Sequence, residues 1–157
     1  MSDTPAKARP SILEATRIQA RAVIPIVKAF EREIGKERAH AIVGEAIAGN
    51  YVAWREKLGF EEDVHPREED ASGPAFPVTK TVVVDEPDRY GHDITGCAFA
   101  DYFRSIGEPE IGALMCCGVD FAAEARMRPG WEFTRTQTQM QGAAVCDFRW
   151  RRREAKS

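Results

Sequence analysis

Residues 131–150 read "WEFTRTQTQMQGAAVCDFRW", and the folding of this stretch decides the architecture. Both ends alternate apolar and polar residues with period two, "WEFTRTQT" over 131–138 and "AAVCDFRW" over 143–150. Such alternation marks a half-buried strand, whose successive side chains point to opposite faces. "QMQGA" lies between the arms, so the stretch is expected to be a β-hairpin with Gly142 in its turn. In the second arm Cys146, Phe148 and Trp150 share one face, and Asp147 and Arg149 the other.

Outward from the hairpin, "EPEIGALMCCGVDFAAEA" (108–125) is ambiguous. Pro109 suits the first turn of a helix, and Ile111, Leu114, Met115 and Val119 form an apolar face. Gly112 and Gly118 weaken that helix. "CAFADYFRSIG" (97–107) gives a short helix from about Ala98 to Ser105, closed by Gly107, and the β-branched run "TKTVVVDEP" (79–87) reads as a strand. Residues 59–78 are acidic, rich in proline and glycine, and read as a loop that carries His65.

The N-terminal third is helical. Ile12, Ala15, Ile18, Ala22 and Ile26 recur at three- and four-residue steps, with Ser11 as N-cap, and Val27, Phe30 and Ile34 continue the stripe. Pro25 is expected to kink or split this helix, and Gly35 to end it. A second helix runs from about Lys36 to Leu58 with Ala39, Ile42, Val43, Ala46, Ile47, Tyr51 and Trp54 as its buried face. The two form a helical hairpin over 11–58, after a flexible leader at 1–10. The fold class is α+β: helices packed on a small antiparallel sheet that occupies, with short helices, residues 79–150 of a single domain.

The 157 residues are 43% apolar and carry a net charge of -3, enough chain for one core and no basic excess for nucleic acid. The one basic run, "RWRRR" at 149–153, reads as a solvated strand exit. No apolar stretch approaches the roughly 20 residues that cross a bilayer, and the N-terminus lacks a secretory signal core. The expectation is a cytoplasmic protein with its four cysteines as free thiols, no membrane and no nucleic-acid partner. The long amphipathic segments could present a face to a second copy of the chain.

Phosphate loops, HExxH and GxSxG are absent, and the three histidines, at 40, 65 and 92, show no zinc spacing. What remains is Cys97, Cys116, Cys117, Asp120 and Cys146, with His92 and Asp93 shortly before Cys97. On a helix Cys117 and Asp120 would share a face. A carboxylate beside a thiol disfavours thiolate, so a cation is needed, and Arg135 and Arg149 are the candidates.

The segments "TGCAFADYFRSIGEPEIGALMCCGVD" and "FTRTQTQMQGAAVCDFRW" resemble the C-terminal half of the L-2-amino-thiazoline-4-carboxylate hydrolase family. The positions that carry the likeness are Cys97, Cys117, Asp120, Arg135, Thr136, Thr138, Gly142, Cys146, Asp147, Phe148 and Arg149, and "AFEREIGKERAHAIVGEA" resembles the leading helices. One departure is Ala143, where that pattern implies an acidic residue. The resemblance implies hydrolytic opening of a cyclic amidine-like ring without a cofactor. Cys117, Asp120, Cys146, Cys97 and His92 are then the catalytic candidates, Arg135, Thr138 and Arg149 the substrate-binding ones, and Cys116 a core residue. Two alternatives stand beside it: a thiolate site for zinc or iron, and a binding domain without turnover.

Overall fold

The structure is a computed structural model and describes residues 10–68 and 76–154. All but the last residue of the expected leader, and residues 69–75 of the acidic loop, lie outside the described residues.

Helix α1 spans Ile12–Ile34 and α2 Lys36–Leu58, joined through Gly35 alone. The Ser11 side chain accepts from the Glu14 amide while Glu14 accepts from the Ser11 amide, a reciprocal cap that satisfies two first-turn donors. At the other end the Gly35 amide bonds to Glu31 O, and the Glu31 carboxylate meets His40 at 2.7 Å across the turn. Pro25 does not split α1, which runs through it unbroken.

Burial on the two helices differs from the expected stripes. Ala20, Val27 and Ala39 are fully buried, whereas Ile18, Ile26, Phe30, Ile34, Ile42 and Trp54 are exposed. Each helix carries two apolar faces, and periodicity does not say which one the rest of the chain covers.

The sheet has four antiparallel strands in the order β1-β2-β4-β3. They are β1 (Val78–Asp85), β2 (Arg89–Cys97), β3 (Trp131–Thr134) and β4 (Cys146–Arg152). A tight turn closes β1 on β2 through paired bonds between Glu86 and Arg89. Strand β2, "RYGHDITGC", has no counterpart in the sequence pattern, which two glycines dilute, yet Tyr90, His92 and Ile94 alternate onto the buried face. They pair with Trp150, Phe148 and Cys146 of β4.

The expected C-terminal hairpin is present as the antiparallel pair β3–β4, but its loop is long. Only Trp131–Thr134 pairs with β4, and residues 135–145 form a long excursion holding a 3-10 turn at Gln139–Gln141. Gly142 caps that turn instead of turning a hairpin. The basic run lies mostly within β4, with Arg149 paired to Asp93, Arg151 to Glu132, and Arg152 over the Trp131 ring.

Between β2 and β3 come α3 (Ala98–Ser105), the single turn α4 (Pro109–Gly112), a π-helical turn at Ala113–Cys117, and α5 (Val119–Met127). The π turn closes with the Gly118 amide on Ala113 O at 2.7 Å. One core cluster joins Ala20 of α1, Ala100 and Phe103 of α3, and Met140 of the 3-10 turn. A second stacks Tyr90, Trp131 and Trp150 with Phe133 and Phe148 on the sheet.

Gly112 is where these parts touch. A Cβ there would sit 2.5 Å from the Phe103 ring and 2.7 Å from Met140 Sδ, so no side chain fits. Gly112→Ala is expected to cost about 1–3 kcal/mol of stability, since overpacking outweighs the better helix propensity. Chemical denaturation of the variant measures it; unchanged stability would show that α3 and the 3-10 turn yield freely.

Candidate active site: thiols around an aspartate–arginine pair

Four segments converge beside the first core cluster. Cys97 ends β2 and caps α3, its Sγ accepting from the Ala100 amide at 3.5 Å. Cys116 and Cys117 close the π turn, and with Cys97 they pack on the Ala20–Phe103–Met140 cluster. Cys146 opens β4 beside Ile94, and its Sγ accepts from the Gln139 amide at 3.2 Å. All four are free thiols. The extra residue in a π turn shifts helical register, which is why it recurs at functional sites. Here Cys116 and Cys117 are both half-buried and pack on the first core cluster.

Asp120, in the first turn of α5, forms an ion pair with Arg135, whose other guanidinium nitrogen donates to Cys117 O at 3.0 Å. Arg135 is 6% exposed and lies over the rings of Phe121 and Phe148, at 5.1 and 5.3 Å. It therefore ties together α5, the π turn and β4. Asp147 sets the backbone around it, accepting from the amides of Thr136 and Gln137 and from the Thr136 hydroxyl. Burial opposes charge on Asp147, but those donors prevail and hold its carboxyl below the usual range.

Electrostatics divide the groups. Burial pushes the Cys117 thiol up to about 12; Arg135 opposes this, and Asp120 adds to it. Cys116 is raised further, again by burial and then by Cys117 and Cys97. Cys146 is also raised by burial, but the Gln139 amide and Arg135 favour its charged form. Asp120 is pushed up to about 7 by burial, against the pull of Arg135. Two observations compete at Asp120: a side chain 30% exposed and paired with a cation favours charge, and its apolar surroundings favour the neutral acid. The net direction is upward, which puts its proton exchange near neutrality.

The other expected site residues lie elsewhere or are engaged. Arg149 is on the opposite face of the sheet from Cys146, bonded to His92 O and Asp93, and lies across Gly91, where a Cβ would come within 2.7 Å of it. It cannot be the cation beside the thiols. Thr138 is buried, and its hydroxyl is spent on Gln141 at the 3-10 turn. His92 stacks on Phe148 at 5.1 Å and packs against Trp150 and Tyr90, within the aromatic layer of the sheet. Among the described residues no three His, Cys, Asp or Glu side chains are grouped to hold a metal ion, so the thiolate-metal alternative finds no support in their placement.

A depression of about 260 Å³ lies on the sheet between Val84, Arg89, Glu132, Thr134, Arg149 and Arg151. It holds none of the thiols. Arg149, Arg89 and Arg151 around it are paired to Asp93, Glu86 and Glu132. Two features of the site were not legible in the sequence: the π turn, and the pairing of Arg135 with Asp120 fifteen residues away. The only hint of the first was the pair of glycines bracketing "ALMCC".

Fold and site together define a class: a small α+β domain that gathers thiols, one carboxyl group and one buried guanidinium. The chain belongs to the L-2-amino-thiazoline-4-carboxylic acid hydrolase family, whose model matches residues 15–150. No curated protein matches the chain. No helix among the described residues is long and apolar enough to cross a membrane.

Proposed function

We propose that the protein hydrolyses a small cyclic amidine-like carboxylate of the thiazoline type at the thiol site. The observation that carries this reading is the meeting of Cys97, Cys117 and Cys146 with the Asp120–Arg135 pair, in a member of that family.

Cys146 is the attacking group. Of the three thiols raised by burial, it is the one whose sulfur receives a backbone amide. Its proton passes to the Asp120 carboxylate, and the sulfur adds to the ring carbon held between nitrogen and sulfur. The C=N electron pair moves to nitrogen, which takes the proton back from Asp120. The adduct collapses first: a nitrogen lone pair re-forms C=N and a ring bond at that carbon breaks. The departing ring atom takes, by way of Asp120, the proton that this nitrogen gives up. Water then adds to the planar carbon still bonded to Cys146, one of its protons passing through Asp120 to nitrogen. As C=O forms, Cys146 leaves as thiolate and takes the remaining water proton from Asp120. Arg135 holds the substrate carboxylate by its fork, exchanging part of its bond to Asp120 for the bond to the ligand. That exchange frees Asp120 to work as a base only once substrate is bound. Cys97 and Cys117 line the site, Thr138 holds the 3-10 turn that delivers the Gln139 amide, and we assign His92 no proton-transfer step.

The test is consumption of a thiazoline carboxylate by purified protein, with Cys146→Ser, Cys117→Ser and Asp120→Asn made singly. Loss in Cys146→Ser and Asp120→Asn, with a smaller loss in Cys117→Ser, is the expected pattern. Full activity in all three would end the reading.

A further inference from the structure

The aromatic face of the sheet packs against α5, with Phe121 on Phe133 and Trp150 bonded to Glu124. The opposite face is turned outward and carries charge. In the register of β2 and β4, Arg89 stands directly opposite Arg151 and Gly91 opposite Arg149, while Thr134 of β3 pairs with Arg149 from the other side. Cross-strand partners, and residues two apart on one strand, share a face, so the three arginines stand together on the outward one. With Val84, Glu132 and Thr134 they surround the depression of about 260 Å³. Like charges directly opposite one another destabilise a strand pair. Here a third cation joins them, in a chain whose net charge is -3. We propose that the depression is a binding site for a phosphate group, free or carried by a small molecule.

Three features support that assignment. The first is room. Arg149 lies flat across Gly91, where a Cβ would meet its Cδ at 2.7 Å, so a larger residue at 91 would lift the arginine off the sheet and into the space. The second is a fixed cation. Arg149 Nη1 donates to His92 O and Phe148 O, each at 2.9 Å, and Nη2 donates to Asp93, so the guanidinium is held before any ligand arrives. The third is donor capacity. Arg151 gives Nε and Nη2 to one oxygen of Glu132, which leaves Nη1 outside that pair. Arg89 meets Glu86 only at 3.8 Å, and both side chains are more than half exposed. Exposed pairs of this kind are weak, and a better-placed anion can displace them.

The number of donors selects the ligand. Three guanidinium groups come from two strands and two cross-strand rows, and Thr134 adds a hydroxyl. A phosphate presents three strong acceptor oxygens and close to two charges, enough to engage several arginine forks at once. A carboxylate presents two oxygens and one charge, and a single fork satisfies it. Glu132 is the one carboxylate of the wall, and it competes for Arg151. A bound phosphate takes over that contact and ties β2 to β4 through charge-assisted bonds. The depression lies on the face of β4 opposite Cys146, so the reading is independent of the chemistry at the thiols.

The full-length protein is titrated with inorganic phosphate by calorimetry, at low salt and near-neutral pH. One phosphate per chain is expected. Arg89→Gln and Arg151→Gln should each weaken binding by about 3–30-fold, since each removes one charge-assisted contact from an exposed site. Lys36→Gln removes the same charge at the start of α2, beside Glu110, and keeps the affinity within about twofold, because a distant charge is screened. Glu132→Gln separates loss of the site from loss of the fold: freed of the competing carboxylate, it binds phosphate more tightly than the wild type, which a damaged sheet does not do. Glycerol phosphate and acetate are titrated alongside. Tighter binding of the ester assigns a phosphate-bearing small molecule, and tighter binding of phosphate itself assigns the free ion. The proposal is overturned by a wild type that binds no phosphate at tens of millimolar, or by acetate bound as tightly as phosphate. It is overturned equally by a Lys36→Gln loss that matches the arginine variants, or by weaker binding in Glu132→Gln.

Discussion

Cys146→Ser is expected to lower kcat/KM for ring opening by roughly 10³–10⁶-fold, the range seen when a covalent nucleophile is removed. Serine keeps the size and the hydrogen bond from Gln139, so the fold and the binding of substrate survive. What is lost is the ease of forming the anion, since a hydroxyl holds its proton far more tightly than a thiol. Cys117→Ser separates the two thiols. The Cys117 thiol is pushed up to about 12, so it is neutral at working pH and its loss costs packing more than chemistry. Single-turnover kinetics with both variants decides the assignment: equal losses would place the nucleophile elsewhere.

The second large effect is at Asp120. Its carboxyl, pushed up to about 7, must be ionised to accept the thiol proton, so kcat/KM should climb with pH up to about 7 and then level off. Asp120→Asn removes the acceptor, lowers the plateau by about 10²–10⁴-fold and abolishes that limb. A variant that keeps the rising limb would show that another group produces it. Stability gives a second check with a definite sign. Because the folded-state value lies above the ordinary 3.8, the native state binds more protons than the unfolded chain between that value and about 7. The contribution of Asp120 to stability is therefore greatest below 3.8 and declines as pH rises through that window. Asp120→Asn should flatten this part of the wild-type profile.

The helical hairpin was readable almost to the residue. Ser11 with Glu14 and the lone Gly35 are local signals, and local signals act through neighbours a few residues away. Strand β1 and helix α3 were equally plain, the one from its β-branched run and the other as a short segment closed by Gly107. Strand β2 was lost because its glycines do not alternate like a strand, although one of them leaves room for Arg149 to lie across the sheet. The hairpin at 131–150 was half right: the apolar alternation of "WEFTRTQT" is genuine, but Asp147 captures the amides of Thr136 and Gln137 that a strand ladder would have used.

The candidate site shows the same division. The sequence offered thiols, a carboxyl and arginines as candidates, and the fold places Cys97, Cys117, Asp120 and Cys146 near one another. Choosing between Arg135 and Arg149 was not possible from the sequence, because both sit on alternating segments and one register decides which face each takes.

Periodicity, capping residues and the family likeness thus settled the elements and the kind of chemistry to look for, all of them properties of short stretches of chain. Only the packed molecule decided which apolar face of each helix is covered, which arginine meets Asp120, and how two neighbouring cysteines both pack on one core cluster. Those outcomes depend on contacts between residues far apart in the chain, and such contacts exist only after the chain has folded on itself.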